Sequence, residues 1–206
     1  MQLEKDLCKG QTLFLIGGGP SLKTVDLEPL KQHQDRIIVA NNAYKLFPNA
    51  LVAHHADFVW WEWNALSFEE TFNGKYRTTT GAGGSKNCYT KEWCWLRKPK
   101  EEGLSKDITA VHGMHAGHQI LNIAYLLGAK RIVLLGYDFN FGPSGETQWH
   151  ADHQRETNTS LWKEKMVPLF NTTLKTLSED GVTVYNANPN SELKCYEFIK
   201  DYTEFL

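Results

Sequence analysis

Two histidines flank an acid in the segment Trp149-His150-Ala151-Asp152-His153, a pattern suited to proton transfer. An imidazole at His150 or His153 can deprotonate a hydroxyl or protonate a leaving phosphate, because its ordinary pKa lies near neutrality. The spacing also admits a metal site with Asp138, although no third ligand stands at helical spacing, and it admits a plain surface loop. Seven of the eight histidines fall into three groups: His54-His55, His112/His115/His118 and His150/His153. The middle group brackets the start of a helix expected over 116–128, where helix capping and ligand contact are both open readings.

Gly17-Gly18-Gly19-Pro20-Ser21 is the second candidate. Glycines let backbone N–H groups come close to a phosphate, and a helix N-terminus behind them adds a favourable dipole. Pro20-Ser21-Leu22 stands where a dinucleotide fingerprint needs its last glycine, and no Gly-Lys-Ser/Thr follows as in a Walker loop. Tight strand–helix packing is the alternative use of these glycines. Asn41-Asn42 can hydrogen-bond a ribose or phosphate, or simply turn the chain. Asp138, in Gly136-Tyr137-Asp138, suits ribose hydroxyls, a metal ion or a cap.

These residues share a place in the pattern of elements. Apolar runs read as strands over 12–16, 36–40, 51–57, 107–111, 131–135 and 182–185, and nearly every one exits into a small or polar residue. Arg131–Leu135 is the strongest, an uninterrupted run of the kind buried on both faces of a parallel sheet. Leu13, Leu15, Ile38, Val133 and Leu135 are expected in the core. Ser21 is positioned to cap a helix starting near Leu22, interrupted by Pro29. Ile120, Ile123, Ala124 and Leu127 share one helical face, with Gly128 as the C-cap. Leu161, Met166, Leu169 and Leu174 mark a further helix. Strand–helix alternation predicts a three-layer, Rossmann-like, mainly parallel α/β fold, one domain over 1–206. Residues 58–106, with five tryptophans and the Gly81–Gly84 loop, break the pattern and read as an insertion or lid.

The bulk numbers set limits. The chain has 206 residues, 41% hydrophobic and 22% charged, enough for one good core. A net charge of −2 argues against a dedicated nucleic-acid-binding surface. The four cysteines, Cys8, Cys88, Cys94 and Cys195, form no CxxC pair and read as reduced thiols. The charged start and the lack of a run of about 20 apolar residues predict a cytoplasmic protein with no membrane span.

The order of motifs is also familiar. Ile16–Leu22, a strand ending at Asn41, Gly117 opening a helix that runs to Leu127-Gly128-Ala129-Lys130, and Leu135-Gly136-Tyr137-Asp138-Phe139 together resemble the bacterial CMP-sialic-acid-dependent sialyltransferases. They look closer still to relatives grouped with the archaeal 6-hydroxymethylpterin diphosphokinases, many of them from phages and bacterial gene clusters, which carry a His-rich loop like Trp149–His153. The likeness covers about residues 12–57 and 107–189. It implies nucleotide contact at Gly17, Gly18, Gly19, Ser21, Asn41, Asn42, Asp57, Gly117, Gly136, Tyr137 and Asp138, with His150 or His153 as catalytic base. Two departures matter. Ala116 replaces a serine and removes a hydroxyl, and Asp57 replaces an asparagine, placing charge where a phosphate would lie unless a cation intervenes.

The expected activity is that of a nucleotide-dependent transferase, first a glycosyltransferase moving a sugar from a nucleotide-sugar to a hydroxyl acceptor without a required cofactor. The alternatives are an ATP-using diphosphokinase with Mg²⁺ held by Asp57 and Asp138, and a non-catalytic nucleotide-binding module.

Overall fold

Thr12–Ile16 forms β1, and all five residues are buried. Leu13 and Leu15 join the core on one face of the sheet, Phe14 and Ile16 the core on the other, as the two-residue strand period requires. In the computed structural model, which describes residues 1–82, 92–152 and 157–206, β1 is a central strand of eight. The others are β2 (Ile37–Ala40), β3 (Val52–Asp57), β4 (Tyr76–Ala82), β5 (Trp93–Trp95), β6 (Arg131–Leu135), β7 (Thr183–Asn186) and β8 (Glu197–Phe198). Their order across the sheet is β5-β4-β3-β2-β1-β6-β7-β8, and every pairing is parallel.

This order carries the functional consequence. The chain winds outward from β1 to β5, then returns to the other side of β1 as β6. The winding direction reverses between β1 and β6, so the connections leaving these two strands diverge and open a crevice at their carboxyl ends.

Helices cover both faces. α1 (Phe58–Thr71) brings Trp60, Trp61 and Phe68 onto the Phe14/Ile16 face. α2 (Ala116–Leu126) lays Ile120, Leu121, Ile123 and Ala124 on the opposite face. α2 ends in a Schellman motif: Gly128, at φ +85°, donates to the Tyr125 carbonyl and Ala129 to that of Ala124. Gly128 is thus the expected stop. α3 (Val167–Asn171) and α4 (Leu174–Glu179) place Phe170 and Leu177 on the α2 side. Leu13, Leu15, Ile38, Val133 and Leu135 are all buried, as expected. Among the described residues no helix is long and apolar enough to cross a membrane.

Several expectations are corrected. The chain after Gly19 makes only a 3-10 turn, Pro20–Lys23, without a side-chain cap from Ser21 or any neighbour. Residues 107–111 are not a strand but touch the sheet through one bridge, Arg97 to Ala110. Ser105 and Asp107 bond nearby backbone instead, Asp107 accepting the Thr109 N–H at 2.8 Å, and such local bonds compete with a ladder. The 58–106 segment is no mere insertion, since it supplies α1, β4 and β5. The helix around Leu161–Leu174 is broken into a π turn (Trp162–Met166), α3 and α4, with Pro168 opening α3 and Thr173 folding its hydroxyl back onto the Phe170 carbonyl. Cys88, His153 and the Gly83-Gly84 part of the glycine loop lie outside the described residues.

Candidate functional site

A cavity of about 590 Å³ lies at the carboxyl ends of β1, β2, β3 and β6. Its volume falls in the range of small-molecule and cofactor sites, roughly 300–1,000 Å³. Its floor is made by Gly17, Gly18, Gly19, Asn41, Asn42, Asp57, Gly117, Gly136, Tyr137 and Asp138, and His150 overhangs it. Ten of the eleven residues singled out as nucleotide contacts therefore meet in one place. Ser21 lies behind the wall.

The glycine turn does different work from the expected phosphate cradle. Gly17 donates its N–H to the Leu135 carbonyl and Gly19 donates to that of Gly136, both at 2.8 Å. Their N–H groups are thus used to join the exits of β1 and β6. A Cβ on Gly17 would meet the Gly136 oxygen at 2.4 Å, and one on Gly19 an Asp138 carboxylate oxygen at 1.9 Å. These two glycines are required by the protein's own packing. Gly18 differs: a Cβ there would meet only the end of Gln148, at 2.5 Å, and its N–H has no partner among the described residues.

Asp138 is held rather than open. One carboxylate oxygen accepts the Ser21 N–H at 2.9 Å and the other the Ser21 hydroxyl at 2.8 Å. Burial pushes its pKa up, and the Ser21 bonds pull against that rise. Asp57 caps α1, accepting the Trp60 N–H at 2.9 Å. The two carboxylates proposed as Mg²⁺ ligands thus have separate structural duties, and they do not fit a resident metal pair. Among the described residues no group of three or more His, Cys, Asp or Glu side chains is arranged to hold a metal ion.

Tyr137 lines the cavity, but its hydroxyl donates to the Gly117 carbonyl at 2.9 Å. That bond fixes the start of α2 against the exit of β6. A buried chain fixes it from the other side: His54 donates from Nε2 to Gln119 Oε1 at 2.7 Å, and the Gln119 amide donates to the Gly113 carbonyl at 2.8 Å. His115 is the N-cap of α2, its Nδ1 accepting the His118 N–H. The N–H groups of Ala116 and Gly117, both lining the cavity, have no partner among the described residues. They give the cleft the partial positive charge of a helix N-terminus.

Burial decides the state of most histidines here. It lowers the pKa of His54 to about 4 and those of His55 and His115 to about 3, so these rings are neutral. His55 stacks against Trp60 and Trp61. His118, in the first turn of α2, sets its ring between the His112 and Leu169 carbonyls, and His112 turns away toward Glu101 and Glu102. Of the middle group only His115 reaches the cleft.

His150 is the sequence-predicted catalytic residue that the structure describes. Its Nδ1 accepts the Asp152 N–H at 3.2 Å and faces the Asn42 amide nitrogen at 3.4 Å. With Nδ1 accepting, the neutral ring carries its proton on Nε2. Asn42 is oriented by its other end, where its oxygen accepts the Trp60 indole N–H at 2.7 Å. Asp152 is drawn aside by Lys45 at 2.7 Å, which lowers its pKa.

Among the described residues, three buried polar atoms on cavity-lining residues lack partners: Asn41 Oδ1, His115 Nε2 and Trp149 Nε1. Each such atom costs about 1–3 kcal/mol when left unpaired. Asn41 also sits at φ +49°, a left-handed conformation that Asn tolerates better than most residues. The opposite wall is apolar: Val59 and Trp63 from α1, within the segment read as an insertion or lid, and, not anticipated, Phe139 with Leu161, Trp162 and Met166 around the π turn. The available signal was Asp57, because a helix capped there must hang its first turns over the strand ends.

No family model matches the chain, and no curated protein matches it in sequence. Solved structures do match. A MAf glycosyltransferase from Magnetospirillum magneticum AMB-1 aligns with a TM-score of 0.64 and 15% identity, over 100% of this chain and 36% of that one. The sialyltransferase CstII from Campylobacter jejuni, in complex with the substrate analogue cytidine-5'-monophosphate, gives 0.57 and 14%, over 94% and 86%. The same sialyltransferase with trisaccharide acceptor and CMP gives 0.55 and 14%, over 94% and 87%. The chain spans about a third of the MAf protein and most of the CstII chain. At these identities the likeness is one of architecture: this chain has the α/β fold of those glycosyltransferases.

Proposed function

We propose that this chain is a glycosyltransferase that takes a sugar from a nucleotide-sugar and passes it to a hydroxyl acceptor. The observation that carries this reading is the cavity at the β1/β6 reversal, with its partnerless polar atoms and the start of α2. A fold shared with a sialyltransferase solved with CMP supports it.

In the transfer, the bond between the anomeric carbon and the phosphate oxygen breaks as the acceptor oxygen bonds to that carbon. Negative charge builds on the leaving phosphate. Fixed donors aimed at that charge do most of the catalytic work in such a site. Here they are the N–H groups of Gly18, Ala116 and Gly117, and His150 Nε2–H. His150 thus serves as a hydrogen-bond donor to the leaving phosphate. The acceptor's own proton falls to His153, the other histidine of the same loop. The apolar wall excludes water and receives the acceptor.

Binding is tested by thermal shift with CMP, UDP, GDP, ADP and ATP, each with and without Mg²⁺, since a ligand of the native state raises its melting temperature. Hydrolysis or transfer of the matching nucleotide-sugar in EDTA is the expected result. Strict metal dependence with ATP as donor would replace this reading with a diphosphokinase. Tight binding without turnover would make it a binding module.

A further inference from the structure

His150 lines the cavity, and what its ring can do there depends on which nitrogen carries the hydrogen. Asp57 caps α1 through the Trp60 N–H and so sets Trp60 in the first turn of that helix. The Trp60 indole has a hydrogen to give and no lone pair to offer. It donates to Asn42 Oδ1 at 2.7 Å, and both residues are buried. The polarity of the Asn42 amide is thereby fixed. Its oxygen is turned to the indole, so its nitrogen donates toward His150 Nδ1 at 3.4 Å.

A second donor comes from the loop itself. The backbone N–H of Asp152 points at the same Nδ1 at 3.2 Å. The Asp152 carboxylate, which would draw a hydrogen onto the ring, is engaged by Lys45 at 2.7 Å. With two hydrogens aimed at it, Nδ1 keeps its lone pair, and the neutral ring holds its hydrogen on Nε2. The chain of bonds runs one way, from Trp60 to Asn42 to His150, and its two links span 18 and 108 residues.

We propose that Asn42 is a positioning residue that holds His150 as a donor through Nε2–H and bars it from acting as a base, since its one lone pair faces Asn42. The catalytic use of that donor rests on the glycosyltransferase reading; the state of the ring does not. An acid at position 42 would reverse the polarity. One of its oxygens still accepts the indole hydrogen, while the other draws a hydrogen onto Nδ1.

The test reads the ring directly. The full chain, with nitrogen-15 in its histidines and no ligand, is observed by long-range proton–nitrogen NMR at a pH well above about 6.5, where an ordinary imidazole is neutral. The His150 signals are those lost in His150→Gln. In the wild type Nε2 should resonate as a protonated nitrogen and Nδ1 as an unprotonated one. In Asn42→Asp the Nδ1 signal should move to the protonated range, and turnover of the nucleotide-sugar should fall by about 10²-fold, the scale of one lost donor to developing charge. Asn42→Leu introduces no charge and serves if Asn42→Asp fails to fold, which melting curves show. There the Nδ1 signal should move downfield, as an unprotonated nitrogen does on losing a donor. A wild-type ring protonated on Nδ1, or an Nδ1 signal unmoved in the folded variants, overturns the proposal. So does a moved signal in Asn42→Asp with turnover unchanged. The expected ring signals in a chain that transfers no sugar from any nucleotide would refute the glycosyltransferase reading alone and leave the hold of Asn42 on His150 standing.

Discussion

The Asp138 carboxylate grips Ser21 with both oxygens, one on the backbone N–H at 2.9 Å and one on the hydroxyl at 2.8 Å, joining positions 117 residues apart. The turn after β6 is thereby fastened to the turn after β1, and the cleft lies between them. Asp138→Ala should cost about 1–3 kcal/mol, because it leaves the Ser21 N–H without its partner. Ser21→Ala, which removes one bond and keeps the other, should cost about 1 kcal/mol. Denaturant unfolding of both single variants and the double variant checks this, and strictly additive losses would contradict it.

Gly18 and Gly19 should part company on substitution. In Gly19→Ala the new methyl overlaps the Asp138 carboxylate, and overpacking of this kind costs about 1–3 kcal/mol. In Gly18→Ala it meets only the movable end of Gln148, so stability should stay near wild type while nucleotide affinity falls. Melting curves and nucleotide titrations separate the two. Equal loss of stability in both would disprove the assignment of Gly19 to packing.

His150→Ala should lower turnover by about 10²–10⁴-fold, the usual worth of a positioned proton donor or acceptor, with nucleotide affinity nearly intact. His150→Gln distinguishes the roles. A glutamine amide donates a hydrogen bond but cannot take a proton, so it should recover part of the activity if Nε2–H is a donor. A glutamine variant as slow as the alanine variant would point to a base instead.

The buried histidines make stability depend on pH with a definite sign. Burial holds His54 at about 4, and His55 and His115 at about 3, against an ordinary value of 6.5. Between these values the unfolded chain binds more protons than the native one. Stability is therefore present above pH 6.5 and is lost as pH falls toward 4, by about 1.4 kcal/mol per pH unit for each such histidine. Unfolding free energies at pH 7.5, 6 and 5 should fall accordingly, and a flat profile would show that these rings are solvated.

Much of this architecture was legible in the chain itself. β1, β2, β3, β6 and β7 are apolar runs that stop at a turn residue, and hydropathy reads such runs directly. β4 was not legible because its core is Thr78-Thr79-Thr80. These residues are buried, yet their hydroxyls are satisfied: Thr78 and Thr80 donate to the Ala53 and Ala56 carbonyls of β3, and Thr79 accepts the Gly81 N–H. A polar side chain bonded to the neighbouring strand looks like a loop until the neighbour is known. The same reasoning applies to the site. Strand ends locate its floor, but which polar atoms remain available depends on bonds such as Ser21–Asp138 and Tyr137–Gly117, which span the whole chain. Local patterns carry no information about them.

The sheet order also sets when the cleft can come into being. β1 pairs with β2, its near successor, but its other edge waits for β6, where Arg131 lies in register with Thr12, 119 residues later. During synthesis the first five strands can assemble while β1 still presents a bare apolar edge, and only one wall of the cleft then exists. Non-local pairings of this kind form late and slowly. A small molecule that fills the cleft has no hold on the half-made protein. It acts instead as a latch on the finished one, bridging the β1 and β6 sides of the sheet.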